Sequence, residues 1–343
     1  MTDAIRHVLV WRGNRIGDVV LTFPALKIIR SRASQARITY VTTDYARELA
    51  EISGLADTVY ALKFEGGIRN LWRYRRLRKA VRAGAFERIF IYGKTDRYRR
   101  RIGPIEGTFR SEEFPAGHKA ERLARAVIKG LGLEDCAIPD PQVDLADRPE
   151  TWDQFASLGV DGPRAEYIVM HPGSHSMARQ AWQRWRQHTP DKTWPPEKYV
   201  ALIEGVRQRW PRLTVALVGS AQERSLVEAR VEQKLPARSA INLCGRTRLP
   251  ELLQLLKHAR AFLGGDSGVM HLASAAGTPM VVLFGPTNEH ETGPYAMGER
   301  ATILRAMPYE HAVQTPDCMD RISVEQVWQA VQRRLDSAPP PGQ

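Results

Sequence analysis

The sequence predicts an α/β protein made of two Rossmann-like, doubly wound domains. Short apolar runs with strand character alternate with helix-like segments along the chain, and this alternation is typical of a mostly parallel sheet. The alternation starts again after residues 139–163, which are rich in Pro, Asp and Gly and predict a passage between domains. A chain of 343 residues has room for two domains. The expected division is 1–160 and 161–343.

The first domain opens on the strand HVLVW, which leads through the turn RGNRIGD into a helix expected to start at Val19. Three further strands are predicted at ARITYVTT (36–43), DTVYAL (57–62) and FERIFIYG (86–93). A helix at 44–53 and a basic helical stretch before Phe86 separate them. Strand, glycine-containing turn and helix in this order form the first unit of a doubly wound sheet.

The second domain repeats the pattern with longer helices. Its predicted strands lie within YIVMHPGS (167–174), LTVALVGS (213–220), SAINLCG (239–245), RAFLGGD (260–266) and PMVVLFGPT (279–287). Its predicted helices are PEKYVALIEGVRQRW (196–210), AQERSLVEARVEQKL (221–235), LPELLQLLKHA (249–259), GVMHLASAAG (268–277) and SVEQVWQAVQRRL (323–335).

Composition places the chain among cytoplasmic proteins. It is 43% hydrophobic and 26% charged, with a mean hydropathy of -0.37, which is typical of a soluble globular protein. No apolar run reaches the ~18 residues of a transmembrane helix, and the first residues lack the pattern of a signal peptide. Three cysteines far apart in the chain show neither metal-ligand spacing nor a disulfide framework.

Positive charge is concentrated in one segment. The net charge is +12, and residues 61–110 hold 15 Lys or Arg against four Asp or Glu. Such a segment is either a solvated helical face, with arginine stems lying over apolar surface, or a surface for an anionic partner. If the segment binds an anionic partner, that partner could be nucleic acid, an anionic membrane, or a phosphorylated or carboxylated substrate.

The stretch FLGGDSGVMHLASAAGTPMVVLFGPT (262–287) predicts an anion site. Ser267 and Gly268 fall where a helix begins, so backbone N–H groups and the positive end of the helix dipole are presented there. A phosphate or diphosphate suits such a site, whereas the carboxylate of Asp266 suits sugar hydroxyls. The alternative is that Asp266 or Ser267 only caps the helix, and that His271 is a packed structural histidine.

Several segments, in the same order, resemble glycosyltransferase family 9, the heptosyltransferases. They include VLVWRGNRIGDVVLTFPAL, VMHPGS, KTWPPEKY, LVGSAQERSLVE, GRTRLPELLQLL and DSGVMHLASAAGTPMVVLFGPT. The resemblance covers nearly the whole chain. It implies a GT-B fold, in which two Rossmann-like domains face a central cleft, with the acceptor on the N-terminal domain and a nucleotide-sugar donor on the C-terminal domain. It also implies an inverting transfer of heptose from ADP-heptose to the inner core of lipopolysaccharide.

The resemblance also implies roles for individual residues. Asp18 becomes the catalytic base that takes the proton of the acceptor hydroxyl, although locally it reads as a helix cap. The implied donor-binding residues are Lys192 on phosphate, Glu223 on the ribose, Thr247 near the base, Asp266 on the transferred sugar, and Ser267, Gly268 and His271 on the diphosphate. Otherwise Lys192 is an exposed lysine and Glu223 a first-turn glutamate.

No metal or other cofactor is expected, because the sequence has no Asp-x-Asp pair and Lys192 with the helix dipole can replace a cation. The basic segment would serve an anionic lipopolysaccharide acceptor and a peripheral position on the cytoplasmic face of the inner membrane. The segment 175–191 is aromatic and basic and is longer than the family usually has there. It forms a lid over the donor, an added contact to the acceptor or the membrane, or a surface excursion.

Two other functions stay open. One is a glycosyltransferase with a different nucleotide-sugar donor or a different acceptor. The other is a basic nucleic-acid-binding protein on a Rossmann-like scaffold, which would need aromatic stacking platforms beside its charge.

Overall fold

The computed structural model describes residues 5–12, 15–62, 68–83, 85–92, 108–134, 136–156, 160, 162–173, 192–313, 315 and 317–337. The chain divides into two compact units, Met1–Val143 and Asp144–Gln343. Each unit contains one parallel β-sheet with helices between its strands. This confirms the prediction of two doubly wound α/β domains.

The division lies earlier than the predicted boundary at residue 160, because the residues after Val143 pack on the C-terminal unit. Lys257 donates from Nζ to the Leu145 carbonyl at 2.6 Å and pairs with Asp147 at 2.8 Å. Trp152 packs edge-on against His258, with ring centroids 5.4 Å apart. Composition marked the polar passage correctly, but these contacts decide to which unit it belongs.

In the N-terminal unit, the described strands form a sheet of order β3-β2-β1-β4-β5. The strands are β1 His7–Arg12, β2 Arg37–Thr42, β3 Thr58–Ala61, β4 Arg88–Tyr92 and β5 Thr108–Arg110. The helices are α1 Ile16–Val20, α2 Phe23–Arg32, α3 Arg47–Ile52, α4 Ile68–Arg82 and α5 Lys119–Gly130, with short 3-10 turns at Asp44–Ala46 and Ser111–Glu113. Every described strand pair is parallel.

The first predicted helix is two helices in the structure. α1 begins at Ile16, not at Val19, and ends before Leu21. α2 then begins at Phe23, with Pro24 in its first turn, a position where the missing proline N–H leaves no unpaired acceptor. The prediction missed the break because the apolar spacing continues across Leu21 and Thr22.

In the C-terminal unit, the described strands form a parallel sheet of order β11-β10-β9-β6-β7-β8. The strands are β6 Tyr167–His171, β7 Thr214–Leu217, β8 Ile241–Asn242, β9 Ala261–Gly265, β10 Met280–Phe284 and β11 Ala301–Arg305. The helices are α6 Pro149–Ala156, α7 Pro196–Arg209, α8 Arg224–Arg230, α9 Leu249–Lys257, α10 Gly268–Ala276, α11 Glu289–Thr292, α12 Tyr309–Ala312 and α13 Val324–Ser337. Short 3-10 turns lie at Glu232–Lys234, Gly298–Arg300 and Cys318–Arg321.

Two inner strands of the C-terminal sheet are buried along their whole length because helices cover both faces. All five residues of β6 and of β10 are buried. Helix α10 ends at Ala276 and is capped by Gly277, whose φ of 75° is left-handed and therefore favours glycine. Among the described residues, no helix is both long enough and apolar enough to span a bilayer.

Candidate functional site

The strand order of the C-terminal sheet points to one place for a ligand. From β6 the chain moves outward to β7 and β8, then crosses back to β9 on the other side of β6. A doubly wound sheet binds its ligand beyond the carboxyl ends of the strands at this change of direction. The register sets His171, the last residue of β6, beside Gly264 of β9, so the predicted Asp266–Gly268 loop lies at this switch point.

Ser267 is the N-cap of α10, and its Oγ accepts a hydrogen bond from the Met270 N–H at 3.3 Å. The capping role proposed as the simpler alternative is therefore present. It does not compete with anion binding, because the amides of Gly268 and Val269 at the start of the helix have no acceptor within the helix. Gly268 is half-buried and His271 is 6% exposed, one turn into the same helix.

Lys192 and Asp266 are brought together. The Lys192 Nζ lies 3.4 Å from the Asp266 Oδ2, and the two side chains are 39% and 12% exposed. Gly265 lets the backbones come this close, since a Cβ there would lie 3.1 Å from the Lys192 carbonyl oxygen. The Lys192 ammonium and the Asp266 carboxylate thus lie side by side at the N-terminus of α10. The ammonium can bind phosphate, and the carboxylate can accept hydrogen bonds from hydroxyls.

Glu223 is 5% exposed, at the N-cap of α8. Its Oε2 accepts from both the backbone N–H and the hydroxyl of Ser220, each at 2.7 Å. Its Oε1 lies 3.5 Å from His171 Nε2. Burial by itself raises the pKa of Glu223, but His171 and the Ser220 hydrogen bonds outweigh burial and lower the pKa to about 2. The carboxylate holds the loop after β7, and its ribose contact remains a prediction.

Thr247 is half-buried between β8 and α9. Because β8 is the edge strand beyond β7, Thr247 follows the strand end on the same side of the switch point as Glu223. The base contact of Thr247 stays a prediction.

Two contributors were missing from the sequence-based assignment. His171 is 3% exposed, and its Nδ1 lies 3.1 Å from the Ser267 Oγ. Arg305, on β11, is the second. The signal for His171 was its place at the end of an apolar strand, within the motif VMHPGS. No local signal marked Arg305.

Arg305 clamps the Gly285–Thr287 loop that follows β10. It donates from Nη1 to the Gly285 carbonyl at 2.6 Å and from Nη2 to the Thr287 carbonyl. It also makes a two-pronged ion pair with Glu289, at 3.1 and 2.6 Å, and only 11% of its side chain is exposed. A planar guanidinium can satisfy this many acceptors at once, whereas lysine cannot.

In the N-terminal sheet the switch point lies between β1 and β4, and Asp18 follows β1 there. Asp18 is the third residue of α1, and its Oδ2 accepts from the Arg15 N–H at 3.3 Å. Its Oδ1 makes an ion pair with Arg12, whose side chain is 8% exposed against 22% for Asp18. The carboxylate therefore binds back to the N-cap backbone from the third position of α1, and not from the N-cap position before Val19 that the alternative proposed, while a buried guanidinium fixes its position.

Residues 174–191, which contain the aromatic and basic insertion, lie outside the described residues, as do 93–107 of the basic segment. Within the described part of the chain, no three His, Cys, Asp or Glu side chains stand close enough to hold a metal ion. Metal independence stays a prediction.

Two parallel sheets whose polar residues gather at their switch points define a doubly wound α/β protein. Residues 139–322 match the model of glycosyltransferase family 9 (heptosyltransferase). The chain belongs to this family.

Individual relatives agree. Lipooligosaccharide heptosyltransferase 2 of Haemophilus influenzae is 36% identical over 124 residues, 35% of this chain and 34% of that protein. The chain thus matches about a third of that relative's length. Lipopolysaccharide heptosyltransferase 2 of Escherichia coli is 23% identical over 91% of this chain and 92% of its own.

A solved structure of Escherichia coli ADP-heptose lps heptosyltransferase II aligns with a TM-score of 0.74 and 17% identity, over 96% of this chain and 98% of that one. This likeness confirms the GT-B fold class.

Proposed function

We propose that this protein is a heptosyltransferase that moves heptose from ADP-heptose to the inner core of lipopolysaccharide. The observation that carries the proposal is the Lys192–Asp266 pair at the start of α10, at the switch point of the C-terminal sheet. Membership of glycosyltransferase family 9 supports the reaction, and the name of the Escherichia coli structure supports the donor.

Each donor contact follows from the chemistry of the group present. The amides at the start of α10, with Ser267 and Gly268, would bind the diphosphate, because helix N-termini favour anions. Lys192 would neutralise the charge that builds on the leaving diphosphate. His271 would face the same group from inside the first turn. Asp266 would accept hydrogen bonds from the hydroxyls of the heptose, and Glu223 would accept them from the hydroxyls of the ribose. Thr247 would lie next to the base.

Asp18 would act as the catalytic base in a single displacement that inverts the anomeric configuration. Its Oδ1 is held by Arg12 and its Oδ2 by the Arg15 amide, so the carboxylate is oriented before substrate arrives. A base held in place this way removes the proton of the acceptor hydroxyl as that oxygen attacks. Lys192 and the helix dipole would supply the positive charge that a metal ion provides in other transferases.

Helix α4 would contact the acceptor and the cytoplasmic face of the inner membrane. Trp72, Arg75, Arg76 and Lys79 follow helical spacing along one face, and all four side chains are exposed. Trp72 is 64% exposed, with the Arg75 guanidinium 5.7 Å from its ring centroid, while Leu77 packs into the core. Each such cation near an anionic surface contributes about 1 kcal/mol. The same charges suit a phosphorylated core.

Transfer to a truncated lipopolysaccharide acceptor, with the product linkage determined by NMR, tests the function directly. The expected product is a single heptose with inverted anomeric configuration, formed equally well in the presence of a chelator. Thermal shifts with ADP, UDP and GDP test the donor, and selective stabilisation by ADP is expected. Stabilisation by an oligonucleotide alone would favour the nucleic-acid-binding alternative instead.

Membrane contact is tested by cosedimentation with phosphatidylglycerol and phosphatidylcholine vesicles. Binding to the anionic vesicles alone is expected, and replacing Arg75, Arg76 and Lys79 by glutamine should remove most of it. Equal binding by this variant and by the unaltered protein would contradict a role for α4.

A further inference from the structure

We infer that His171 is a positioning residue of the donor site, which links Glu223 to the N-cap Ser267 and so fixes the first turn of α10. The inference rests on the proposed function, because it concerns how the turn assigned to the donor diphosphate is held. His171 contacts no substrate in this scheme and acts through Ser267.

The geometry places the imidazole between two loops. His171 is the last residue of β6, the strand next to the switch point, and its ring is 4% exposed. Its Nδ1 lies 3.1 Å from the Ser267 Oγ on one side. Its Nε2 lies 3.5 Å from the Glu223 Oε1 on the other. The ring therefore touches the loop after β9 with one nitrogen and the loop after β7 with the other.

Glu223 is itself held firmly. Its Oε2 receives two hydrogen bonds from Ser220, at 2.7 Å each. Glycine at position 173 makes room for the carboxylate, because a Cβ there would collide with the Glu223 Oε1. Among the described residues, no donor makes a well-formed hydrogen bond to this buried Oε1. The His171 Nε2 at 3.5 Å is the group that partly compensates its charge.

The hydrogen-bond partners of His171 determine which of its ring nitrogens carries a hydrogen. An ionised carboxylate can only accept, so the His171 nitrogen that faces Glu223 carries hydrogen. In the neutral ring Nδ1 is then an acceptor, and the hydroxyl of Ser267 donates to it. The Ser267 oxygen meanwhile accepts from the Met270 N–H at 3.3 Å. With its hydrogen and a lone pair both engaged, the hydroxyl has one orientation.

The consequence is a rigid start for α10. Three successive strand ends in the sheet, those of β9, β6 and β7, are connected by the side chains of Ser267, His171 and Glu223. The amides of Gly268 and Val269 are then fixed before a diphosphate binds, which lowers the entropy lost on binding. Loss of this connection should weaken donor binding and leave the chemical step alone.

Isosteric variants of His171 in the full-length chain separate the two contacts. Asparagine places a polar atom near the position of Nδ1, and glutamine places one near Nε2. His171→Asn should keep the Ser267 contact and bind ADP within about threefold of the unaltered protein. His171→Gln and His171→Phe should lose that contact and bind ADP about fivefold to tenfold more weakly, which is the effect of one lost hydrogen bond. Calorimetric titration with ADP gives the affinities. The kcat at saturating donor should stay within about threefold for all three variants, because the chemical step is untouched.

The possible outcomes are distinct. Unchanged ADP affinity in His171→Gln, or a loss in His171→Asn equal to that in His171→Phe, would overturn the positioning role. A matching fall of kcat in every variant would also overturn it. If the unaltered protein fails to bind ADP, the proposed donor is wrong, and that failure is visible before any variant is made.

Glu223→Gln separates action through His171 from direct contact with the ribose. Because Glu223 is assigned both to the ribose and, through His171, to the first turn of α10, this variant should lower ADP affinity by up to about threefold more than adenosine affinity, measured by saturation-transfer NMR, since only ADP uses that turn. An equal loss for adenosine would show that Glu223 acts on the nucleoside alone, and would remove it from the proposed connection.

Discussion

The two sheets share one topology but differ in what they place at their switch points. Between β1 and β4 the N-terminal sheet presents a carboxylate, Asp18, held by the buried Arg12. Between β6 and β9 the C-terminal sheet presents a helix N-terminus with Lys192 beside it. The first arrangement can accept a proton and the second can hold an anion.

The supporting contacts differ in the same way. Asp18 is oriented by residues within six positions of it in the chain. The C-terminal site is held by residues far apart, since Ser267 and His171 are separated by 96 positions and Lys192 and Asp266 by 74. A base needs one oriented group, whereas a diphosphate site needs several loops at fixed spacing. The comparison teaches that one strand order can be specialised by the groups placed at its strand ends.

The largest effect is expected at the N-terminal switch point. Asp18→Asn should lower kcat by about a thousandfold, within the range for loss of a general base, and leave ADP affinity unchanged. Steady-state transfer kinetics and calorimetric ADP titration measure both quantities. Asp153→Asn, at an exposed position of α6, is the matched control. Near-normal turnover by Asp18→Asn would remove the proton-accepting role from the N-terminal sheet.

The next effect concerns the Arg305 clamp. Arg305→Ala leaves the Glu289 carboxylate, 16% exposed, without its partner, and loss of one member of a buried pair destabilises by about 3–5 kcal/mol. Scanning calorimetry should show a lower unfolding temperature for the C-terminal unit. Arg321→Ala is the control, because its pair with Asp317 is more than half exposed and such pairs contribute about 1 kcal/mol or less. Equal effects of the two substitutions would contradict the clamp.

A smaller effect is expected at the anion site. Lys192→Ala should weaken ADP binding about tenfold to 150-fold, because a charge-assisted hydrogen bond to phosphate contributes roughly 1.5–3 kcal/mol. Asp266→Ala should weaken donor-sugar binding and affect ADP little. Lys234→Ala, at an exposed position, serves as the control in the same titrations. If Lys192→Ala bound ADP like the unaltered protein, the anion would have to lie elsewhere on the C-terminal unit.

The smallest effect concerns pH. The pKa of Glu223 is lowered from 4.5 to about 2, so the ionised carboxylate stabilises the fold above about pH 4.5 and this contribution is lost as the pH falls toward about 2. Glu223→Gln should therefore unfold at a lower temperature than the unaltered protein at about pH 6, and the difference should shrink as the pH approaches about 3. Calorimetry at both pH values measures it. The exposed Glu228→Gln is the control. A difference independent of pH would mean that shape, and not charge, matters at position 223.

The sequence predicted the doubly wound fold well because periodicity and strand-end glycines are local features. It also selected Ser267, Gly268 and Asp266, whose turn chemistry is visible within a few residues. The structure divides the chain after Val143, earlier than the predicted residue 160, because Leu145 and Asp147 contact Lys257 and His258, about 110 positions away. The break between α1 and α2 was missed because the apolar spacing continues through it.

By itself the sequence determined the number and kind of layers, the strand ends that carry polar turns, and the family to which they belong. The tertiary structure alone decided which strand ends meet. His171, Glu223 and Ser267 come together because β9 pairs with β6 and β6 with β7, and Arg305 reaches the Gly285 loop because β11 pairs with β10. Strand order is set by how the crossovers pack, a long-range balance of burial that no local pattern records.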